Sequence, residues 1–420
     1  MTEDARRATR SLAGAILGCA TGISALLLYT NGLFVAGLSQ DYGLTRTQFG
    51  FGVLLVTLAL AAANPLVGWA VDRFGPKRPA IVGLLLLALG FASLGAFVHS
   101  VRTYLWLQSL AALLGAASGP IAYTKIIGAT FDKNRGIALG LTMTGIGLSA
   151  AMVPPLLASV IAARGWRAGF FALALISLFG ALVVALLVPR STTVAPPSSN
   201  AARTDATSEA GWVRARVFWI MTAAFATMAL SFAGLLPHFV PMLTDGGLSP
   251  MAAAGIASEI GLAVILSRLV IGFLMDRVFA PRIAIAICLV AAGGFIALMA
   301  GGIGAASVTA IALGFAMGAE LDLMGFLVTR YFGLAEFGRV YGWLYGAFIF
   351  ASGLGPLWVG ALRDATGTYA LSLVISVAGL IATCAGFLLL PAYGAQLGSP
   401  ANAALTLARE RSDFAERQDP

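Results

Sequence analysis

GWAVDRFGPKR, from Gly68 to Arg78, is a short polar break between two long apolar runs, and its first six residues return as GFLMDR from Gly272 to Arg277. The two copies begin 204 residues apart, and three further pairs keep nearly the same interval. GWRAGFFALALIS from Gly165 and GTYALSLVIS from Gly367 differ by 202, Phe131 and Phe332 by 201, and Pro154 and Pro356 by 202. All four run in the same direction, so the second half of the chain is a parallel copy of the first. Parallel repeats that flank a midplane site let two similar bundles rock about a shared cavity.

The medium around these repeats is lipid. Of 420 residues, 59% are hydrophobic and 10% charged, whereas a soluble domain carries roughly a quarter charged residues. Apolar segments lie at 12–38, 47–70, 80–98, 103–128, 136–162, 168–189, 215–242, 250–274, 282–302, 304–329, 340–362 and 369–391. Each meets the requirement of about 20 apolar residues for a spanning helix. The spacing predicts an all-α membrane protein of twelve transmembrane helices in two six-helix pseudo-repeats: an N-terminal bundle over 1–189, a linker over 190–214, a C-terminal bundle over 215–392 and a tail over 393–420. The linker is rich in Ser, Thr, Ala and Pro and lacks periodicity. The thinnest division is Gly301 to Ala305, where the ninth and tenth helices have almost no polar residue between them.

The formal charge of +8 and pI near 9.8 raise nucleic acid as a partner, but the cations sit between apolar runs. With both termini taken as cytoplasmic, 19 Lys and Arg residues fall on that side and 5 on the other, leaving Lys125 and Arg268 within helices. Cationic loops are retained in the cytoplasm, so the basicity reports orientation in a plasma membrane or bacterial inner membrane, and no nucleic-acid partner is expected. MTEDARRATR leads into the first apolar run without a small-residue cleavage pattern, which predicts a retained first helix. Cys19, Cys288 and Cys384 lie in apolar segments at spacings that match no metal motif, and His99 and His238 are isolated. No metal and no cofactor are expected.

GWAVDRFGPKR resembles the signature loop between helices 2 and 3 of the major facilitator superfamily, and the resemblance extends from about Ser11 to Pro391. It implies the major facilitator fold and alternating access. Gly68, Asp72, Arg73, Gly75, Lys77 and Arg78, with Gly272, Asp276 and Arg277 in the second copy, are then a conformational latch: glycines for close helix approach, aspartates near helix N-termini, cations at the cytoplasmic face. TFDKNRGIALGLTMTGIGLS, from Thr130 to Ser149, is similar to the entry into helix 5 of the monocarboxylate transporters and their bacterial relatives, including oxalate/formate exchangers, with Gly136, Gly140, Gly145 and Gly147 permitting tight packing. That resemblance implies a monocarboxylate cargo.

A charge inside a bilayer costs at least about 2.5 kcal/mol on insertion scales, so those retained are candidates for function. Arg268 lies eight residues before Asp276, about 12 Å from the helix end at ~1.5 Å per residue. It resembles the helix 8 arginine implicated in carboxylate binding in monocarboxylate transporters, and a guanidinium can hold a carboxylate through two parallel hydrogen bonds. A structural ion pair with an acid of helix 10 is the other reading. Glu320 and Asp322 lie at nearly the same depth, ten and eight residues before Arg330. Either is a proton-coupling carboxylate, or one pairs with Arg268 while the other joins a hydrogen-bond network. Lys125 and Tyr123 are expected to add a cation and a hydroxyl to the cavity unless Lys125 reaches the interface. Asn31, Tyr29 and Thr30 offer neutral contacts, and Tyr341 and Tyr345, four apart on one face, offer another wall unless they are core aromatics. Glu259 faces away from Arg268, toward packing or the outer vestibule. Val264 stands where the animal transporters carry a helix 8 aspartate, and no lysine occurs between Ser11 and Ser39, so proton coupling would fall to helix 10.

The leading expectation is a secondary transporter of small organic anions, working by proton symport or anion exchange. Efflux of amphipathic compounds is a second possibility, which the Arg268 charge disfavours. A non-transporting membrane sensor is a third, and it has no use for latches in both halves. No nucleophile, metal cluster or nucleotide motif suggests an enzyme. Protons and membrane lipid are the other expected partners, and oligomeric state is left open.

Overall fold

A computed structural model of the chain describes residues 3–131, 133–189 and 211–393, so most of the linker expected at 190–214 and nearly all of the tail expected at 393–420 lie outside the described residues. The described chain is entirely helical. The first half holds α1 (3–42, interrupted at Gly22 and at the 3-10 turn Asn31–Phe34), α2 (Arg46–Phe74), α3 (Lys77–Phe97), α4 (101–130, interrupted at 116–119), α5 (135–164) and α6 (166–187). A single turn, Gly211–Arg214, leads into the second half: α7 (Arg216–Asp245), α8 (Pro250–Met275), α9 (Ala280–Gly301), α10 (Ala306–Tyr331), α11 (Phe337–Thr366) and α12 (Ala370–Leu388).

Among the described residues, ten continuous apolar helical stretches are long enough to cross a membrane, and two of them, at 53 and 52 residues, are double. At ~1.5 Å per residue each double stretch would run about 80 Å against a ~30 Å hydrocarbon core, so each folds back on itself. The reversals sit at Gly165 (φ 80°) and Gly302 (φ 56°), backbone conformations that a side chain resists. The second lies within the thin 301–305 division expected from the sequence. The chain therefore crosses twelve times.

Local signals fix where the helices begin. Thr45 and Gln48 form a reciprocal capping box at the start of α2, and Ser249 accepts the Ala252 N–H ahead of α8, whose first residue is Pro250. Leu66, Trp106, Leu262 and Leu388 are exposed on the outer surface, as lipid-facing side chains should be.

The repeat is visible in the packing. Contacts of α1 with α5, α2 with α4 and α3 with α6 in the first half are matched by α7 with α11, α8 with α10 and α9 with α12 in the second. Between halves the dominant contacts are α2 with α11 and α5 with α8, while α4 and α10 meet beneath the centre.

Candidate functional site

The halves are locked together at the end of the bundle where α2 passes into α3, called here the latch side. Gly68 of α2 lies against the Gly338 carbonyl of α11, and Gly342 against the Asn64 carbonyl, so closely that a Cβ at either glycine would collide with backbone. That approach brings Asp72 to the first turn of α11, where its two oxygens accept the Gly338 and Arg339 N–H groups, both at 2.7 Å. These are orphan donors at the positive end of a helix dipole, and a carboxylate there is stabilised by both effects. The second half repeats the device. Gly136 and Gly140 of α5 lie against the Gly272 and Arg268 carbonyls of α8, and Asp276 accepts the Gly136 and Ile137 N–H groups at 2.7 and 3.2 Å.

The supporting cations do different work from one another. Lys77 gives its ammonium to the Ala185 and Val188 carbonyls, and Arg10 reaches the Leu186 carbonyl, so both cap the end of α6. Arg277 folds back over the Phe273 ring, whereas Arg73 and Arg78 are exposed. Gly75 makes the turn between α2 and α3 at φ 77°. Lys125 corrects the sequence reading: its ammonium sits 2.5 Å from Asp72, with side-chain exposures of 11% and 7%. Its length and its place above the end of α4 carry it sideways to the nearest carboxylate, into the latch.

Above the latches, Arg268 and Asp322 meet across α8 and α10 at 3.5 Å, with their side chains 8% and 0% exposed. The contact is long for a charge-assisted bond, and both groups retain free capacity: Arg268 Nε and Asp322 Oδ2 have no hydrogen-bond partner. Close by, Gly325 of α10 packs on Thr124 of α4 and the Tyr341 ring of α11, and the Tyr123 ring covers Gly18 of α1. The hydroxyls of Tyr123, Thr124 and Tyr341 are buried too: Thr124 and Tyr341 have only each other in reach, and Tyr123 has no partner among the described residues. Buried Cys19 of α1 has Arg268, Asp322, Tyr123 and Tyr341 among its electrostatic neighbours, which gathers the group around one point between the halves. Tyr29, 55% exposed, feels the charges of Arg268 and Glu320. Such an accumulation of polar atoms with spare hydrogen-bonding capacity inside an apolar bundle marks the region as a candidate binding site.

A family model described as Major Facilitator Superfamily matches residues 17–322. The chain belongs to the major facilitator superfamily. It is 25% identical over 372 residues to the human (Homo sapiens) monocarboxylate transporter 11, covering 84% of this chain and 77% of that one. It is 28% identical over 374 residues to the gallate transporter of Pseudomonas putida, covering 77% and 82%. Among solved structures, the transporter FucP in its outward conformation superposes with a TM-score of 0.68 at 15% identity, over 90% of this chain and 98% of that one. That likeness extends to the fold. The protein is a multi-pass secondary transporter and not an enzyme.

Within this superfamily member the remaining sequence candidates separate by level. Tyr345 lies beside Tyr341 in a run of rings from Phe337 to Phe348, with centroids 5.2, 5.8 and 6.1 Å apart. Glu320 is half-buried with no hydrogen bond, one face round α10 from Asp322. Asn31 is elsewhere: it accepts the Tyr104 hydroxyl at 2.8 Å, one turn from the Ser100 cap at the outer end of α4. Glu259 accepts a bond from Ser307 at 3.1 Å, a packing contact between α8 and α10. Thr124, Cys19 and Gly338 with Gly342 were not singled out from the sequence. The last two had a signal, since they stand 202 residues after Gly136 and Gly140. Thr124 and Cys19 had none, because small polar residues inside apolar helices are common and only the fold brings these two together.

Proposed function

We propose that this transporter carries small organic anions, monocarboxylates foremost, by alternating access, with Arg268 as the carboxylate anchor. One observation carries the reading: a buried guanidinium at the junction of the halves is engaged by a single long contact and has an unused Nε. An arriving carboxylate can take the free edge of the fork or displace Asp322 outright, and displacement frees Asp322 to accept a proton. This links substrate to proton symport, with Glu320 the alternative coupling acid; anion exchange through Arg268 alone is the competing cycle. Tyr29, Tyr123, Tyr341 and Tyr345 supply hydroxyls and rings around the anchor. The latch side is taken as cytoplasmic, with both termini on it, because the Lys and Arg residues concentrate there.

Thermal stabilisation of purified protein by acetate, lactate, pyruvate, benzoate and oxalate tests the cargo class without assuming a mechanism. At least one should stabilise the wild type, and Arg268→Lys should weaken that response tenfold or more, about 1.4 kcal/mol, because the fork is lost while the charge remains. Undiminished stabilisation of the lysine variant removes Arg268 as the anchor. For coupling, Asp322→Asn should abolish uphill uptake driven by a pH gradient yet leave exchange of labelled substrate intact, since exchange needs only the loaded carrier to reorient. If Asp322→Asn and Glu320→Gln both still accumulate substrate in response to pH, anion exchange is the better account.

A further inference from the structure

We infer that the hydroxyls of Tyr123, Thr124 and Tyr341 form a second carboxylate station, used only when the latch side is open and lying between the Arg268 anchor and that exit. The inference rests on the reading of Arg268 as a carboxylate anchor and adds to it a place, a set of residues and a sidedness. All three hydroxyls are fully buried; Thr124 and Tyr341 have only each other in reach, and the Tyr123 hydroxyl has no hydrogen-bond partner among the described residues. A buried hydroxyl left unpaired costs about 1–3 kcal/mol, and a cluster of under-used hydroxyls is a cost a packed core avoids by using Phe and Val.

Their position explains what the cost serves. Tyr123 and Thr124 belong to the first half and Tyr341 to the second, and Thr124 meets Tyr341 across Gly325, where the absence of a side chain lets α4 press against α10. They therefore lie on the seam where the two halves meet. When the latches release, α4 separates from α10 and α11, and the same hydroxyls line the new opening. Each is a neutral donor that a carboxylate accepts from. Neutral donors suit a release station, because an anion held by hydroxyls alone leaves more readily than one held by a guanidinium. The station is also within reach of the anchor, since Cys19 neighbours Arg268 and Asp322 on one side and Tyr123 and Tyr341 on the other.

The test uses Tyr341→Phe with Thr124→Val, which delete two hydroxyls and preserve shape. In proteoliposomes, exchange of labelled acetate, lactate, pyruvate and benzoate is measured while substrate is varied on one face at a time. The latch face is identified by reaction of an Arg73→Cys protein with an impermeant maleimide. The double variant should raise the half-saturating concentration on the latch face at least fivefold and change it less than twofold on the opposite face. Its melting temperature should change little, because Thr124 and Tyr341 meet only each other in the closed form and the double variant removes both partners, leaving neither buried hydroxyl orphaned. Equal changes on both faces, or none on either, would overturn the station while leaving the anchor standing. If wild type exchanges none of the four anions, the carboxylate reading itself falls and the station falls with it. A drop in melting temperature with unchanged half-saturation would make the hydroxyls structural and overturn the proposal.

Discussion

The two latches began as one device and now differ in what surrounds it. In both, a glycine pair brings two helices from opposite halves together and an aspartate caps the first turn of the partner: Asp72 on α11, Asp276 on α5. Two neighbouring positions have diverged. Asp72 also holds Lys125 of its own half, whereas the matching place on α10, 201 residues on, is the buried Phe326. One turn from the latch glycine, the first half has Asn64 and the second has Arg268, 204 residues apart. Duplication thus supplied a symmetric lock, and divergence put one internal cation beside the lock in one half and another against the buried Asp322 in the other. The Asp72–Lys125 ion pair lies within one half, whereas both Asp276 hydrogen bonds cross between the halves.

The sharpest way to break the comparison is to delete the aspartates in turn. Asp72→Ala should destabilise the latch-closed state by about 3–5 kcal/mol, because it strands Lys125 as an uncompensated buried charge as well as uncapping α11. Asp276→Ala strands nothing and should cost about 2 kcal/mol, the value of an anion at a partly buried helix terminus. Spin labels at Lys133 and Ala335, exposed on opposite halves of the latch side, would report the shift as a longer distance population. Lys125→Met added to Asp72→Ala should bring its effect back to that of Asp276→Ala. If the double variant is no better than Asp72→Ala alone, Lys125 is not what separates the two latches. Intrinsic substrate affinity should change little in any of these proteins, since neither latch aspartate contacts the Arg268 or Asp322 side chain.

The glycine and aspartate contacts between the halves were legible in the sequence because their parts are contiguous: GWAVDR and GFLMDR carry glycine and aspartate one helical turn apart, and their interval gives the repeat. The twelve crossings were equally legible, since hydrophobic length is a local property. Lys125 was not. Its distance from Asp72 is 53 residues along the chain, and nothing in α4 says which neighbour it leans toward. The depth of Arg268 and Asp322 followed from counting residues to their helix ends, which put them level; that they share a face required the rotation of both helices, which counting does not supply. Asn31 shows the same limit from the other side, since a polar residue in an apolar run gives no level until its partner, Tyr104, is known.

A smaller asymmetry lies at the residue two before the latch glycine of each partner helix. Ahead of α11 this is Glu336; ahead of α5, 202 residues earlier, it is Asn134, which does not titrate. Burial raises the Glu336 carboxyl above the ordinary glutamate value of 4.5, with Arg339 opposing and the nearby Asp72 charge adding to the rise. A carboxyl whose pKa is higher in the closed state binds its proton more tightly there than in the open state, where water surrounds it. The Glu336 contribution to the closed state is therefore full below about 4.5 and is lost as pH rises through the window from 4.5 to the raised value. Glu336→Gln imitates the protonated form, so at neutral pH it should favour the closed state, by less than Asp276→Ala disfavours it. The same spin-label pair, read across this window, should show a closed fraction that falls with rising pH in the wild type and a flatter profile in the glutamine variant. An unchanged pH profile would mean that the two latches titrate alike and that Glu336 adds nothing to the first.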